Sequence, residues 1–244
     1  MATPKITLYF DIVSPFAYMA FYALRNFPVF SQCEITYVPI FLGGLFRTCG
    51  NTTPIEIKNK DRWIQTERLR WSRLFSIPML PAPPRTFPTR TLPTQRALTA
   101  LLHSPLPTAL SSSSAPAPGP AAALPAAAAA LYDALWARDR NVGDAAVLLE
   151  VLAGVPGVGG EAGARALVEE RAASKEVKEG LVRATQRAFD EGAFGVPWIV
   201  DVGKGLATNA KGETEGFFGF DHLGQVIDFL GLERPASRGW KAMM

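Results

Sequence analysis

Ile6-Thr7-Leu8-Tyr9-Phe10-Asp11-Ile12-Val13 runs without a break into Ser14-Pro15-Phe16-Ala17, and this junction decides the fold. An apolar run of that length reads as a buried β-strand, and the stretch from Phe16 to about Asn26 reads as a helix. Ser14 then occupies the N-cap and Pro15 the first helical position, where a fixed φ fits and a missing N–H costs nothing. The Ser14 hydroxyl is thereby expected beside several free backbone N–H groups at the positive end of a helix dipole, a place that favours an anion. Alone, this serine reads as a plain helix cap.

Two later segments change that reading. Gly195-Val196-Pro197-Trp198-Ile199-Val200 drives a proline into the start of an apolar strand, where it cannot donate to the ladder. A cis Val196–Pro197 bond accounts for it, with an ordinary turn proline as the alternative. The residue before such a proline can offer its backbone N–H and C=O to an extended peptide-like ligand. Shortly after comes Phe218-Gly219-Phe220-Asp221-His222-Leu223. Together the three segments read as a thioredoxin-type thiol site with serine in place of cysteine.

The order of these segments, with a long helical insert between them, resembles the kappa-class glutathione transferases and their relatives, the 2-hydroxychromene-2-carboxylate isomerases. Further matches are Gly50-Asn51 followed by Pro54 and Lys60, and Thr94-Gln95-Arg96-Ala97-Leu98 in the insert. The resemblance covers nearly the whole chain. It implies that glutathione is the cosubstrate and that Ser14 hydrogen-bonds its sulfur. It further implies that Asn51 and Lys60 reach the peptide, that Val196 and Pro197 form the backbone docking position, and that Phe220 and Asp221 lie at the γ-glutamyl end. Two positions depart from the family pattern. Phe220 stands where a small polar residue is common, so that contact falls to backbone N–H groups at the helix start. His222 stands where arginine is common, which removes a permanent charge.

The chemistry follows from what the sulfur needs. Lowering a thiol pKa from about 8.5 to about 6.5 takes roughly 2.7 kcal/mol of preferential thiolate stabilisation. A helix N-terminus supplies about 0.3 to 1 kcal/mol, up to ~2 when partly buried. A hydrogen bond to a charged group supplies about 1.5 to 3 kcal/mol. Ser14 and the helix start together suffice in scale, with Ser14 staying protonated and donating to the thiolate. Disulfide exchange is excluded at this helix, because Ser14 and Ala17 occupy the two cysteine positions. A serine hydrolase is excluded too: the chain has only His103 and His222 and no Gly-x-Ser-x-Gly elbow. Two cysteines, Cys33 and Cys49, build no zinc cluster at the usual spacings, so no metal is expected. Both read as buried or ordinary thiols, with a place near the site as the alternative for Cys49, just before Gly50-Asn51.

At 244 residues, 48% hydrophobic and 19% charged, with a formal charge of +3, the chain reads as one α/β domain carrying an insertion. The charge falls short of a nucleic-acid signature, and no apolar run reaches the ~18 residues needed to span a membrane. Arg62, Arg68, Arg70 and Arg73 read as a solvated helix face. The first strand begins so close to Met1 that a secretory signal is not expected. The cytosol is the expected compartment, with the mitochondrion as the alternative the resemblance implies.

The fold class is thus α/β, a thioredoxin-like fold with a large helical insertion. Residues 1–57 form its first half: strand, helix, and a parallel second strand from Glu34 to Ile40. Residues 58–192 are the helical insertion, with a proline-dense extended loop from Pro78 to Pro93 and a low-complexity loop at 111–120. Val177, Leu181, Ala184 and Ala188 mark one face of a helix ended by Gly192. Residues 193–232 form the second half, with a strand from Trp198 to Val202, another around Glu215 to Phe218, and a final helix from about Asp221 to Leu230. Residues 233–244 are a tail.

The function expected is a glutathione-dependent transferase acting as a homodimer, with Ser14 holding the thiolate for attack on an electrophilic apolar substrate. Phe16, Phe46 and Trp198 read either as the apolar lining of the site or, equally, as core residues. Two alternatives are a glutathione-dependent isomerase of a conjugated or aromatic-derived acid, and a non-catalytic carrier of apolar ligands suggested by Phe220 and His222.

Overall fold

The computed structural model describes residues 3–103, 120–200, 207–208 and 214–243. Strand β1 (Lys5–Phe10) is followed by helix α1 (Pro15–Asn26), a short 3₁₀ turn, and strand β2 (Glu34–Pro39). β1 and β2 run parallel with Ile6 opposite Ile35 and Leu8 opposite Tyr37. After α2 (Leu42–Cys49) the chain passes into helices α3 (Lys60–Phe75), α4 (Leu92–His103), α5 (Pro120–Tyr132), α6 (Ala145–Ala153), α7 (Gly160–Arg165) and α8 (Lys175–Asp190). It then returns to the sheet through β3 (Trp198–Val200). A separate small ladder, β4 (Ala207–Thr208) with β5 (Thr214–Glu215), precedes β6 (Phe217–Phe218), α9 (Leu223–Phe229) and α10 (Arg238–Lys241).

The main sheet has the order β2-β1-β3-β6, with β3 antiparallel to both β1 and β6. Five of the six β1 residues are buried, because a central strand covered on both faces needs apolar side chains on both. That is why the run from Ile6 to Phe10 is continuous rather than alternating. α1 covers one face with Ala17, Tyr18, Met19, Phe21 and Leu24. Phe21 packs at 6.0 Å from Phe10 and 5.4 Å from Tyr132 of α5.

Several details differ from the sequence reading. The strand expected around Glu215 to Phe218 is two pieces divided at Gly216, where a Cβ would lie 2.5 Å from the Trp198 ring. The proline-dense loop ends before Leu92, because α4 accommodates Pro93 in its first turn. α8 buries Val177, Leu181 and Ala188 as expected, together with Thr185. The final helix begins as a 3₁₀ turn over Phe220–His222 before α9. Arg68 is not on a solvated face: it is fully buried, donating to the carbonyls of Leu80 (2.7 Å) and Pro81 (3.2 Å) and lying over the Trp136 ring. Residues 201–202 and most of the 111–120 loop lie outside the described residues.

The helices between β2 and β3 are joined to the sheet by polar side chains. Buried Gln95 of α4 donates both amide hydrogens, one to the Phe10 carbonyl (2.9 Å) and one to the Ile40 carbonyl (2.7 Å). These carbonyls lie where β1 and β2 end; the Phe10 carbonyl also accepts from the Ile40 N–H at 3.0 Å, so loss of Gln95 chiefly bares the Ile40 carbonyl, and an unpaired buried acceptor costs about 1 to 3 kcal/mol. Gln95→Ala is expected to lower unfolding free energy by roughly 2 kcal/mol or more in urea. Gln95→Glu is expected to give no rescue at neutral pH, since a carboxylate cannot donate. Wild-type stability in Gln95→Glu would show that the two bonds hold nothing.

Candidate functional site

Ser14 stands at the end of a turn that the fold fixes atom by atom. Its N–H donates to the Asp11 carbonyl at 3.0 Å, its φ of -88° and ψ of 119° are extended, and its Oγ accepts from the Ala17 N–H at 3.1 Å. With one lone pair so engaged, the hydroxyl hydrogen is left to donate. It points to the Val196 carbonyl at 3.4 Å, a long contact for an O–H donor. The helix start offers less than the sequence suggested. Pro15 has no N–H, Ala17 is capped by Ser14, and Tyr18 already donates to the Ser14 carbonyl. Only the Phe16 N–H remains unpaired in the first turn among the described residues, so the expected several free N–H groups reduce to one.

The Val196–Pro197 bond is cis, as the sequence reading anticipated; a second cis bond joins Phe87 and Pro88. Gly195 precedes the former because a Cβ there would lie 2.8 Å from the Phe218 ring. The segment is anchored from α2. Gly50 takes φ +68° at the end of that helix, a conformation suited to glycine, and turns the chain so that Asn51 Nδ2 donates to the Phe194 carbonyl at 2.9 Å. Asn51 Oδ1 accepts from the Thr52 N–H at 2.9 Å. Cys49 Sγ approaches the same Phe194 carbonyl at 3.9 Å. Burial pushes the other thiol, Cys33, up to about 11.

These segments surround a cavity of about 740 Å³. Ser14, Asn51, Lys60, Val196, Pro197 and Asp221 all line it, so the structure brings together residues separated by up to two hundred positions in the chain. Lys60 opens α3 and is exposed, and neither Lys60 nor Arg90 of the cavity wall has an ion-pair partner among the described residues. Asp221 Oδ1 lies 3.5 Å from His222 Nδ1 at the start of the last helical segment. Phe220 is placed differently. Its side chain is fully buried, edge-on to Trp71 (5.6 Å) and Phe75 (5.4 Å). It packs beneath the site rather than entering the cavity.

The apolar part of the cavity contains Phe16 and Phe46, but not Trp198, which is buried against Phe194 at 6.1 Å. Its place is taken by Trp63, Trp71 and Phe87. Trp63 is 54% exposed and sits 6.3 Å from the Phe16 ring. One signal for it was present: an indole one turn after Lys60, directly following the charged pair Asp61-Arg62.

Asp11 also lines the cavity, and sequence reasoning gave it no role. It is fully buried. Oδ1 accepts from Thr91 Oγ1 (2.6 Å) and the Val13 N–H (3.2 Å), and Oδ2 from the Leu42 N–H (2.9 Å). One carboxylate thereby joins the β1–α1 turn, the start of α2 and the segment before α4. Burial pushes its pKa from 3.8 up to about 6, against the opposing pull of those three donors. Because the folded value lies above the unfolded one, the associated stability is fully present below about 3.8 and is lost as pH rises through about 6. Wild-type stability measured relative to Asp11→Asn is therefore expected to decline between about pH 4 and pH 7. A difference independent of pH would show that Asp11 titrates as an ordinary carboxyl.

Residues 5–226 match the family model described as DSBA-like thioredoxin domain. Among curated proteins, the chain is 26% identical over 233 residues to glutathione S-transferase kappa 1 of Caenorhabditis elegans, covering 95% of this chain and 93% of that one. It is 24% identical over 233 residues to glutathione S-transferase kappa 1 of Rattus norvegicus, covering 93% and 90%. Among solved structures, a 2-hydroxychromene-2-carboxylate isomerase superposes with a TM-score of 0.66 at 21% identity, covering 93% of this chain and 94% of that one. A cytosolic disulfide reductase from Pseudomonas aeruginosa gives 0.58 at 15% identity, covering 93% and 95%. The two structural likenesses establish the fold, and the family model spans nearly all of it. The chain belongs to the DSBA-like thioredoxin domain family, with kappa-class glutathione transferases among its curated relatives as its sequence motifs implied.

Proposed function

We propose that this chain is a glutathione-dependent enzyme of the kappa type, in which the Ser14 hydroxyl donates to the glutathione thiolate. The observation that carries the reading is the Ser14 hydroxyl itself. It opens onto the cavity with its hydrogen committed only to a 3.4 Å contact with the Val196 carbonyl, and a thiolate outcompetes a carbonyl at that length as an acceptor. The Val196 N–H has no partner among the described residues, which suits it to dock the peptide backbone of the ligand. Lys60 and Asp221 supply opposite charges for the two ends of a tripeptide that carries both. Asn51 already spends its carbonyl and one amide hydrogen on the protein, leaving one hydrogen for the ligand. Phe220, expected at the γ-glutamyl end, is fully buried and does not line the cavity, so that end falls to its neighbours Gly219 and Asp221.

In the transfer reaction the sulfur lone pair forms a C–S bond to the electrophilic carbon, and the displaced group or π pair leaves with the electrons. Ser14 keeps its proton throughout. The apolar wall of Phe16, Trp63, Trp71 and Phe87 receives the second substrate. The likeness to an isomerase structure supports a second reading, in which the thiolate adds to a conjugated system, permits rearrangement, and departs. Product analysis separates the two: a stable thioether means transfer, and a substrate isomer with glutathione recovered means isomerisation. The homodimer and the cytosolic location belong to the same reading, and sedimentation of the purified chain checks the former.

Ser14→Ala removes one hydrogen bond to a charged sulfur, worth about 1.5 to 3 kcal/mol, so the bound thiol pKa is expected to rise by about 1 to 2 units. Thiolate absorbance of the glutathione complex, followed across pH, reads this directly. An unchanged thiol pKa would sink the role of Ser14.

A further inference from the structure

A second cavity of about 470 Å³ lies beside the first, formed by Ile55, Asp61, Arg62, Gln65, Pro83 and Phe87. Ile55 and Phe87 line both cavities, so the two cavities meet at these side chains, and neither is fully buried. The base of the smaller cavity is apolar, made by Ile55, Pro83 and Phe87. Its polar members offer no net charge: Gln65 Oε1 is held by Arg68 Nε at 2.5 Å, and Asp61 and Arg62 are neighbours of opposite sign. A groove of this composition, adjoining the larger cavity at Ile55 and Phe87 and without net charge, fits an uncharged apolar chain better than an anion or a cation.

We infer that the second substrate is an elongated electrophile whose reactive head sits in the large cavity near Ser14 and whose unbranched, uncharged apolar chain passes between Ile55 and Phe87 into the adjoining groove. The inference rests on the glutathione-dependent reading above and adds the shape and chemical class of the acceptor. Linear 2-alkenals present such a head and tail. The glutathione thiolate forms the C–S bond at the β-carbon, the C=C π pair moves onto the enolate, and the α-carbon then takes a proton from solvent. The proton lost by the thiol balances the one gained, and no other reactant is needed.

The experiment is a chain-length series, 2-hexenal, 2-nonenal and 2-dodecenal, conjugated to glutathione by wild type, Ser14→Ala and Pro83→Glu. Pro83 is exposed and lines only the smaller groove. The groove is open on one side, so each methylene is expected to add roughly half the logarithmic gain of full burial, about twofold in kcat/KM. Pro83→Glu places an unpaired carboxylate in the groove and is expected to flatten the series, reducing the dodecenal-to-hexenal ratio at least tenfold. A flat wild-type series, or an unaltered slope in folded Pro83→Glu, overturns the inference while leaving the glutathione reading intact. Absence of Ser14-dependent conjugation for every member, hexenal included, defeats both.

Discussion

Everything at the site depends on keeping one buried turn satisfied. Between the last residue of β1 and the first of α1 the chain must turn sharply, and its polar backbone has no access to water. The side chains that answer for it come from far along the sequence. Gln95 donates to the Phe10 carbonyl, Tyr132 to the Asp11 carbonyl (3.2 Å), and Trp136 Nε1 to the Ile12 carbonyl (2.9 Å). Thr91 donates to the Asp11 carboxylate. Three successive carbonyls leading to Ser14 are thus each held by a side chain from the helices between β2 and β3. The Phe10 and Asp11 carbonyls also accept from the Ile40 and Ser14 N–H groups, so the Ile12 carbonyl depends most on its side-chain donor, and an unpaired buried acceptor costs about 1 to 3 kcal/mol. Those helices therefore do more than cover the sheet: they fix the direction in which Ser14 faces.

A second consequence concerns how the site compensates for a poor helix terminus. With a proline at the first position and Ala17 consumed by the cap, α1 presents a single unpaired N–H. The dipole supplies about 0.3 to 1 kcal/mol, up to ~2 at a partly buried end such as this one, so in the proposed mechanism the hydroxyl provides the rest of the thiolate stabilisation. The cap bond from Ala17 serves that end, because it fixes the oxygen while leaving its hydrogen available. The same atom both starts the helix and addresses the sulfur.

Much of this was legible in the sequence because it rests on local rules. Ser-Pro after an apolar run specifies an N-cap and first helical turn without knowledge of the rest, and a proline at the start of β3 announces the Val196–Pro197 turn. The parallel pairing of β1 and β2 follows from the helix between them. What could not be read depends on tertiary neighbours. Arg68 carries the same residue type as the exposed arginines on α3, and only the carbonyls of Leu80 and Pro81 make its burial tolerable. Trp198 and Trp63 are both indoles near site motifs, yet the cavity takes Trp63, since β3 is packed on both sides. Phe220 could be seen to replace a polar residue, but not to turn inward to the Trp71 and Phe75 rings. Asp11 stood inside a recognised motif, and its function as a joint between three segments needed Leu42 and Thr91 to be placed beside it.

The energetics of the sulfur also limit what Ser14 can accomplish. Lowering a thiol pKa from about 8.5 to about 6.5 raises the ionised fraction at pH 7 from roughly 3% to roughly 76%, a gain of about 25-fold. The same stabilisation makes the thiolate a weaker nucleophile, by about 6- to 10-fold for a Brønsted slope of about 0.4 to 0.5. The net gain in attack is only about threefold. In the proposed mechanism, stabilising the thiolate therefore cannot by itself account for catalysis of transfer, and the remainder would come from holding sulfur and electrophile in contact within the aromatic-lined cavity. For an isomerisation the balance differs, because a stabilised thiolate is also a better leaving group and the adduct must release it. In the proposed mechanism one serine serves addition and departure alike, and which of them completes the reaction is decided by whether the adduct is trapped, through loss of a leaving group or protonation at carbon, before the thiolate departs.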